Sequence, residues 1–210
     1  MKKIILSTSL LFLLATTTYA ETKTPEEQKA EKAYNERMNT SQTTADKASK
    51  QLQVDLEKYG LFSEKVADDY KAISEAYLSM GKFDESIEYA LHAIKVETKL
   101  RKEDDPKLAK LYFDTGNKYY MHKQHPTAML YMEKAAKIYK AASGAESPEL
   151  ADTYEAIASI YINLKDNVKA LDFAQKCLDI RKKKLKEGDE AIKRAQMNVD
   201  YLKEELNKEK

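Results

Sequence analysis

The chain aligns with itself three times at a spacing of 42 residues, and this constrains its fold more than any other feature. Tyrosines stand at Tyr70, Tyr112 and Tyr154, and again at Tyr77, Tyr119 and Tyr161. Small residues recur at Ser74, Gly116 and Ala158, at Ser86, Ala128 and Ala170, and at Ala93, Ala135 and Cys177. An aromatic recurs at Tyr89, Tyr131 and Phe173, and a branched apolar residue at Val96, Ile138 and Ile180. Residues suited to start a helix fall on the same grid, at Ser63, Asp105, Ser147 and Asp189, with Pro106 and Pro148 after two of them. A fixed period of this size means one supersecondary unit stacked several times, because a single unit cannot bury its own apolar face.

The low count of helix breakers, five Gly and four Pro in 210 residues, fits long uninterrupted helices. Each repeat reads as helix, turn, helix, over about residues 64–104, 105–146 and 147–188. The first helix of each repeat is termed A and the second B. Before them, Ala45, Ala48, Leu52, Leu56 and Tyr59 share one helical face, and Gly60 offers a left-handed stop, so a helix over 44–59 is predicted to cover the first repeat. Residues 21–43 are polar and are expected to form a linker or a frayed helix, although Thr24, Pro25 and Glu27 have the spacing of a capping box. At the other end Ile192, Ala195, Val199 and Leu202 form one apolar stripe on a helix over 190–206, the pattern of a terminal cap; residues 207–210 are a charged tail. The predicted fold class is all-α, a right-handed α-solenoid of three helix-turn-helix repeats between N- and C-terminal capping helices.

Residues 1–20 have the form of a signal peptide. Lys2 and Lys3 precede an apolar stretch from Ile4 to Leu14, and Thr18-Tyr19-Ala20 suits cleavage before Glu21. That stretch, broken by Ser7, Thr8 and Ser9, falls short of the roughly 20 residues that span a bilayer. Export to a bacterial periplasm is the expectation; the alternatives are secretion, or an uncleaved leader anchoring the chain to the inner membrane, its only foreseen membrane contact. Loss of Lys2 and Lys3 would take the net charge from +1 to −1, which gives no support for binding nucleic acid. Cys177 is the single cysteine and occupies the small-residue column of Ala93 and Ala135, so it reads as a small buried hydrophobe.

The columns have physical reasons. Two helices that cross at close range need small side chains there: Ser74, Gly116 and Ala158 on one, facing Ser86, Ala128 and Ala170 on the other. The tyrosines lie two turns apart on one face and are expected to form a ladder between successive repeats. The strings Tyr70-x2-Ile73-Ser74-x2-Tyr77, Tyr112-x2-Thr115-Gly116-x2-Tyr119 and Tyr154-x2-Ile157-Ala158-x2-Tyr161 resemble the tetratricopeptide repeat signature. The usual period is about 34 residues. The longer repeat here, with Asp105-Pro106 and Ser147-Pro148 before the A helices, is similar to that of the kinesin light chain group. The resemblance extends over about residues 44–206.

The resemblance implies a binding scaffold that holds a protein or peptide on a concave face lined by the A helices. Carried onto this sequence, the family's groove positions fall on Asp68, Lys71, Ala72, Glu75, Leu78 and Ser79 in the first repeat. In the second they are Lys110, Phe113, Asp114, Asn117, Tyr120 and Met121, and in the third Asp152, Glu155, Ala156, Ser159, Ile162 and Asn163. Lys71 and Asn117 are too isolated, and Glu75, Asp114, Asp152 and Glu155 too acidic, for capture of a C-terminal carboxylate. An apolar strip of Phe113, Tyr120, Met121 and Ile162 between acids points instead to an amphipathic or extended segment with basic flanks. Phe113 and Tyr120 have two readings, as anchors for a partner or as packing against a neighbouring A helix.

Nothing in the sequence points to catalysis, a cofactor or a metal. His122 and His125 have no further ligand at suitable spacing and read as a solvated turn. No Gly-rich phosphate loop, nucleophile elbow or Ser-His-Asp arrangement is present. The expected role is a non-catalytic scaffold or adaptor. The alternative is a self-associating assembly factor of a cell-envelope complex, with the chain as a homo-oligomer.

Overall fold

The structure is a computed structural model that describes residues 23–208; the expected signal peptide lies outside these residues. Among the described residues there are eight helices and no strand. They are α1 (Pro25–Tyr59), α2 (Glu64–Ser79), α3 (Phe83–Leu100), α4 (Pro106–Met121), α5 (His125–Ala142), α6 (Pro148–Asn163), α7 (Asn167–Lys184) and α8 (Glu190–Lys208). The A helices are α2, α4 and α6, and the B helices are α3, α5 and α7. Each A helix packs on its own B helix and on the helix before it, and α8 closes against α7.

Local chemistry sets the ends of the A helices. Ser63, Asp105 and Ser147 are extended residues whose side chains accept from the backbone N–H of Val66, Lys107 and Leu150. At the other end, the N–H groups of Lys82, Gln124 and Asp166 donate to the carbonyls of Tyr77, Tyr119 and Tyr161. This closure requires a left-handed residue just before the donor. Gly81 supplies it in the first repeat (φ 73°), but Lys123 and Lys165 must adopt it in the next two (both φ 60°).

The columns of small residues are where the paired helices touch. Ser74 Oγ donates to the Ser86 carbonyl (2.7 Å) and Ser86 Oγ to the Ser74 carbonyl (2.8 Å), so both buried hydroxyls are satisfied across the crossing. In the second repeat a Cβ on Gly116 would lie 3.3 Å from the Ala128 carbonyl oxygen and 3.0 Å from Met132 Cε. Ala158 and Ala170 are buried in the third. Fully buried Val66, Ile73, Leu150, Ile157 and Ile160 line the inner faces of the A helices. Each contributes about 2 kcal/mol of apolar burial.

The tyrosine columns stack inside each repeat and not between repeats. Tyr77 stacks on Tyr89 (5.6 Å between centroids), Tyr119 on Tyr131 (5.3 Å) and Tyr161 on Phe173 (5.7 Å). Tyr70, Tyr112 and Tyr154 pack tilted on the same three rings. The expected inter-repeat ladder is therefore corrected. The B-helix ring sits between two rings two turns apart on its own A helix, because the small-residue crossing holds that pair closest.

Residues 23–43 also differ from the linker or frayed helix expected over 21–43. From Pro25 onward they are the first part of the unbroken 35-residue α1. The Thr24–Glu27 capping box is formed in both directions, with Thr24 Oγ1 accepting from Glu27 N (3.2 Å) and Thr24 N donating to Glu27 Oε2 (2.7 Å). Residues 24–37 are exposed, while Met38 packs on the cluster of Ala45, Ala76 and Met80. The helix thus extends roughly 20 Å beyond its last tertiary contact. Sequence reading undervalued it because there is no apolar stripe to find there; capping and i,i+4 spacing carry it.

The flanking helices take up repeat positions. In α8 the buried residues Ala195, Val199 and Leu202 fall 42 positions after Thr153, Ile157 and Ile160, so α8 takes the place of the A helix of a fourth repeat. Its positions equivalent to Tyr154, Ala158 and Tyr161 are Gln196, Asp200 and Lys203. Polar side chains thus stand at the positions that face the B helix in the three repeats. In α1 the buried Ala45 and Asp55 precede Ile87 and Glu97 by the same interval, which makes its second half a B helix.

Candidate partner-binding face

The A helices bring the predicted groove residues together on one face, and the structure adds the side chains beneath them. Column 71–113–155 on the A helices stands over column 97–139–181 on the B helices. In the first repeat Lys71 Nζ meets Glu97 Oε1 (3.1 Å) and Asp68 Oδ1 (2.7 Å). In the third the polarity is reversed: Arg181 Nη2 meets Glu155 Oε2 (2.6 Å) and Asp152 Oδ1 (2.9 Å). In the second, Phe113 packs half-buried into the cluster that contains Tyr139. Glu97, Tyr139 and Arg181 are all buried.

This floor changes the electrostatics expected of the face. The isolated Lys71 is paired, and although burial opposes its charge, the hydrogen bonds to Asp68 and Glu97 raise its pKa above the ordinary value. Arg181 behaves alike: burial works against the guanidinium, and the bonds from Glu155 and Asp152 more than offset it. Burial is also the main cause that pushes the Tyr139 hydroxyl up to about 12, followed by the charges of Asp114, Glu149 and Asp152.

The remaining acids are engaged as well. Asp114 holds Lys110 (2.7 Å), and Glu75 reaches Lys118 (2.5 Å), whose side chain is only 4% exposed at a column filled elsewhere by Ala76 and Ile160. Arg101 ties Glu97 to Glu64 and Asp105. The acidic flanks expected to select a basic partner are therefore largely spent on internal cations. Sequence reading missed Glu97 and Arg181 because only A-helix positions were considered, Arg101 because it caps the end of α3, and Lys118 because it lies on α4 outside the groove positions. A charge on the buried column of a B helix was the available signal.

Phe113 and Tyr120 pack against neighbouring helices and stay part-exposed. Both are half-buried against the cluster of Ala128, Met132, Ile157 and Ile160, and the Tyr120 hydroxyl accepts from Asn163 Nδ2 (2.8 Å). Leu78, Asn117 and Ser159 are half-buried, with Ser159 Oγ donating to the Glu155 carbonyl (3.0 Å). Met121 and Ile162 are exposed. The apolar surface continues onto α8, which sequence reading took only for a cap: Met197 and Tyr201, 70% and 53% exposed, lie at the positions of Glu155 and Ser159 one repeat on. Between α6 and α8 a notch of about 90 Å³ opens, lined by Ile162, Ala158, Ala195, Asn198 and Leu202. The other end of the face, between α2 and α4, is a charged cleft of about 300 Å³ lined by Asp68, Lys71, Arg101, Lys110 and Asp114.

Other reactive side chains are placed structurally. Cys177 is buried, and burial pushes its thiol up to about 11. His122 Nε2 lies 3.2 Å from Asp84 Oδ1, and His125 packs beside Tyr120 (5.5 Å). Among the described residues no group of three or more His, Cys, Asp or Glu side chains is arranged to hold a metal ion. No helix among them is long and apolar enough to cross a membrane.

Comparison with known proteins agrees with this architecture. The tetratricopeptide repeat family matches residues 69–141 and again 151–184. A protein from Podosopora anserina, described as a kinesin light chain with nearly identical TPR-like repeats, superposes with a TM-score of 0.71 at 12% identity. That superposition covers 84% of this chain and 85% of the other. BtubC (BKLC) from P. vanneervenii superposes with a TM-score of 0.63 at 14% identity, covering 83% and 85%. No curated protein sequence matches the chain. At these identities the two structures speak for the fold. The repeated columns, the helix pairs and the family match agree, and the chain belongs to the tetratricopeptide repeat family, a fold that serves as a protein–protein interaction scaffold.

Proposed function

We propose that this protein is a non-catalytic adaptor that holds a segment of a partner protein along its A-helix face. The partner's apolar side chains would seat at the C-terminal end, on Ile162, Met197 and Tyr201. The observation that carries this reading is the exposure of Met197 and Tyr201 on α8. The same helix turns polar, with Gln196, Asp200 and Lys203, at the positions that face the B helix in the three repeats. Solvent-facing apolar side chains retained on one face of an otherwise solubilised cap are the pattern of a docking anchor. Since Glu75, Asp114, Asp152 and Glu155 already have cationic partners, apolar contact would carry affinity, and the charged cleft at the other end would fix orientation. A catalytic role has no support here: the ionisable groups of the face hold one another.

The leader-like residues 1–20 make export to the periplasm part of this proposal. Self-association by continued stacking is the weaker reading, because α8 offers an incoming helix Gln196, Asp200 and Lys203 in place of the Tyr, small and Tyr columns. Affinity capture from a cell-envelope extract tests the proposal, with the unaltered protein beside Met197→Ala, Tyr201→Ala. A partner held by the first and lost by the second is expected. The same partner held equally by both, or recovery of nothing but the chain itself, would refute it.

A further inference from the structure

The two junctions between successive repeats differ in a way that leaves one open. At the junction of the second and third repeats, Glu146 in the connection reaches Lys183 (2.8 Å) and Lys184 (3.6 Å) on α7 and straps the loop down. What remains there is a wider-mouthed groove of about 500 Å³ over residues 143–149 and Lys184, with none of the apolar floor of Leu150, Tyr154 or Ile180 in its lining. One repeat earlier the strap positions hold Asp104 and Ala141, so no ion pair can form. A cleft of about 440 Å³ lies open between α3, α4 and α5, floored by Leu108, Tyr112, Ile138 and Ala141.

Its walls carry exposed charges of both signs, and Lys134, Lys137, Glu103 and Asp104 are in no ion pair among the described residues. Lys134 lies over the rings of Tyr112 (5.4 Å) and Tyr131 (5.2 Å) and, like Lys137, is in no ion pair among the described residues. The equivalents one repeat on are both tied: Lys176 to Asp172 (2.6 Å) and Asp179 to Gln175 (2.8 Å). Leu130 stands where Asp172 does, so Lys134 has no such partner. On the loop side of the cleft Glu103 and Asp104 are likewise in no ion pair, while Arg101, in the same lining, is taken up by Glu97, Glu64 and Asp105. The volume falls within the range of roughly 300–1,000 Å³ of small-ligand sites.

We propose that this cleft binds short peptides with free termini, the carboxylate held by Lys134 and Lys137, the ammonium by Glu103 and Asp104, and an apolar side chain laid on Tyr112, Leu108 and Ile138. Two unpaired cations facing two unpaired anions across an apolar floor match a zwitterion and disfavour a simple anion or cation. The site is separate from the anchors proposed on the A-helix face and does not depend on them.

Isothermal titration of the protein with the free tripeptides Ala-Leu-Ala and Ala-Tyr-Ala, and with their N-acetylated and C-amidated forms, tests this. Saturable binding is expected for a free tripeptide, weakened at least tenfold when either terminus is blocked. Ala141→Lys, an exposed change that installs the missing strap to Asp104, and Lys134→Gln, Lys137→Gln should each weaken it at least tenfold. Glu146→Gln at the strapped junction should leave it unchanged, and melting curves of the same samples show that each variant is folded. No binding at millimolar peptide, equal binding of blocked and free forms, or full binding by folded Ala141→Lys would overturn the proposal.

Discussion

The first and third repeats solve one packing problem with opposite charges. In four successive B-type positions the chain buries Asp55, Glu97, Tyr139 and Arg181. Glu97 is neutralised by Lys71 and Arg101, and Arg181 by Asp152 and Glu155. Tyr139 avoids charge and packs into a cluster with Phe113. Asp55 faces another acid, Asp69 on α2, whose carboxyl is pushed up to about 6 by burial and then by the Asp55 charge. The comparison teaches that the repeat fixes the backbone and the small-residue crossings, while the buried column needs only complementary chemistry. At the N-terminal end even that is incomplete.

The largest expected effect comes from breaking the third-repeat pair. Arg181→Ala removes the buried cation, its packing and its two charged hydrogen bonds to the more exposed Glu155 and Asp152, and should cost about 3 kcal/mol, read as a fall of roughly 6–12 °C in Tm. A fall below 2 °C would show that the pair is replaceable by water. The next test swaps polarity. Lys71→Glu and Glu97→Arg each destabilise alone, by about 2 kcal/mol, and the double variant copies the third repeat and should recover at least half of the combined loss. Additive losses in urea melts would contradict the view that the column asks only for complementarity. Arg101 makes the test demanding, because it loses Glu97 in both Glu97→Arg and the double variant.

The unsolved end of the column gives a pH test. The pKa of Asp69 is raised in the fold, from 3.8 to about 6, so the native state holds a proton that the unfolded chain releases. This contribution is full below pH 3.8 and is lost as pH rises through about 6. Asp55→Asn removes the neighbouring charge. It should flatten the pH dependence of stability across that window and raise Tm at pH 7, whereas an unchanged slope would place the dependence elsewhere. The smallest effect concerns the helix–turn–helix corners. Lys123→Gly and Lys165→Gly relieve a left-handed residue and should each add about 0.5–1 kcal/mol, while Gly81→Ala should cost about 1 kcal/mol.

Much of this was legible in the sequence, since the 42-residue spacing aligns the residues that touch. Ser74 with Ser86 and Gly116 with Ala128 meet where their columns said, because small residues at a crossing admit few alternatives. The aromatic columns were visible but their partners were not, since a period tells which residues are equivalent and not which neighbour each one faces. The first half of α1 was hidden because exposed helices held by caps and ion pairs carry no periodic apolar signal. The candidate face was legible by position and misjudged in charge: its acids are read correctly only with Lys118 and Arg181 in view. Met197 and Tyr201 were overlooked because α8 was taken for a cap rather than for a fourth A helix.

Hydrogen–deuterium exchange of the protein alone and with its captured partner tests the adaptor reading most directly. Added protection is expected on the A-type helices α4, α6 and α8, greatest over residues 195–204, with α3, α5 and α7 little changed. Protection concentrated on the B helices, or confined to residues 24–37 of α1, would contradict it.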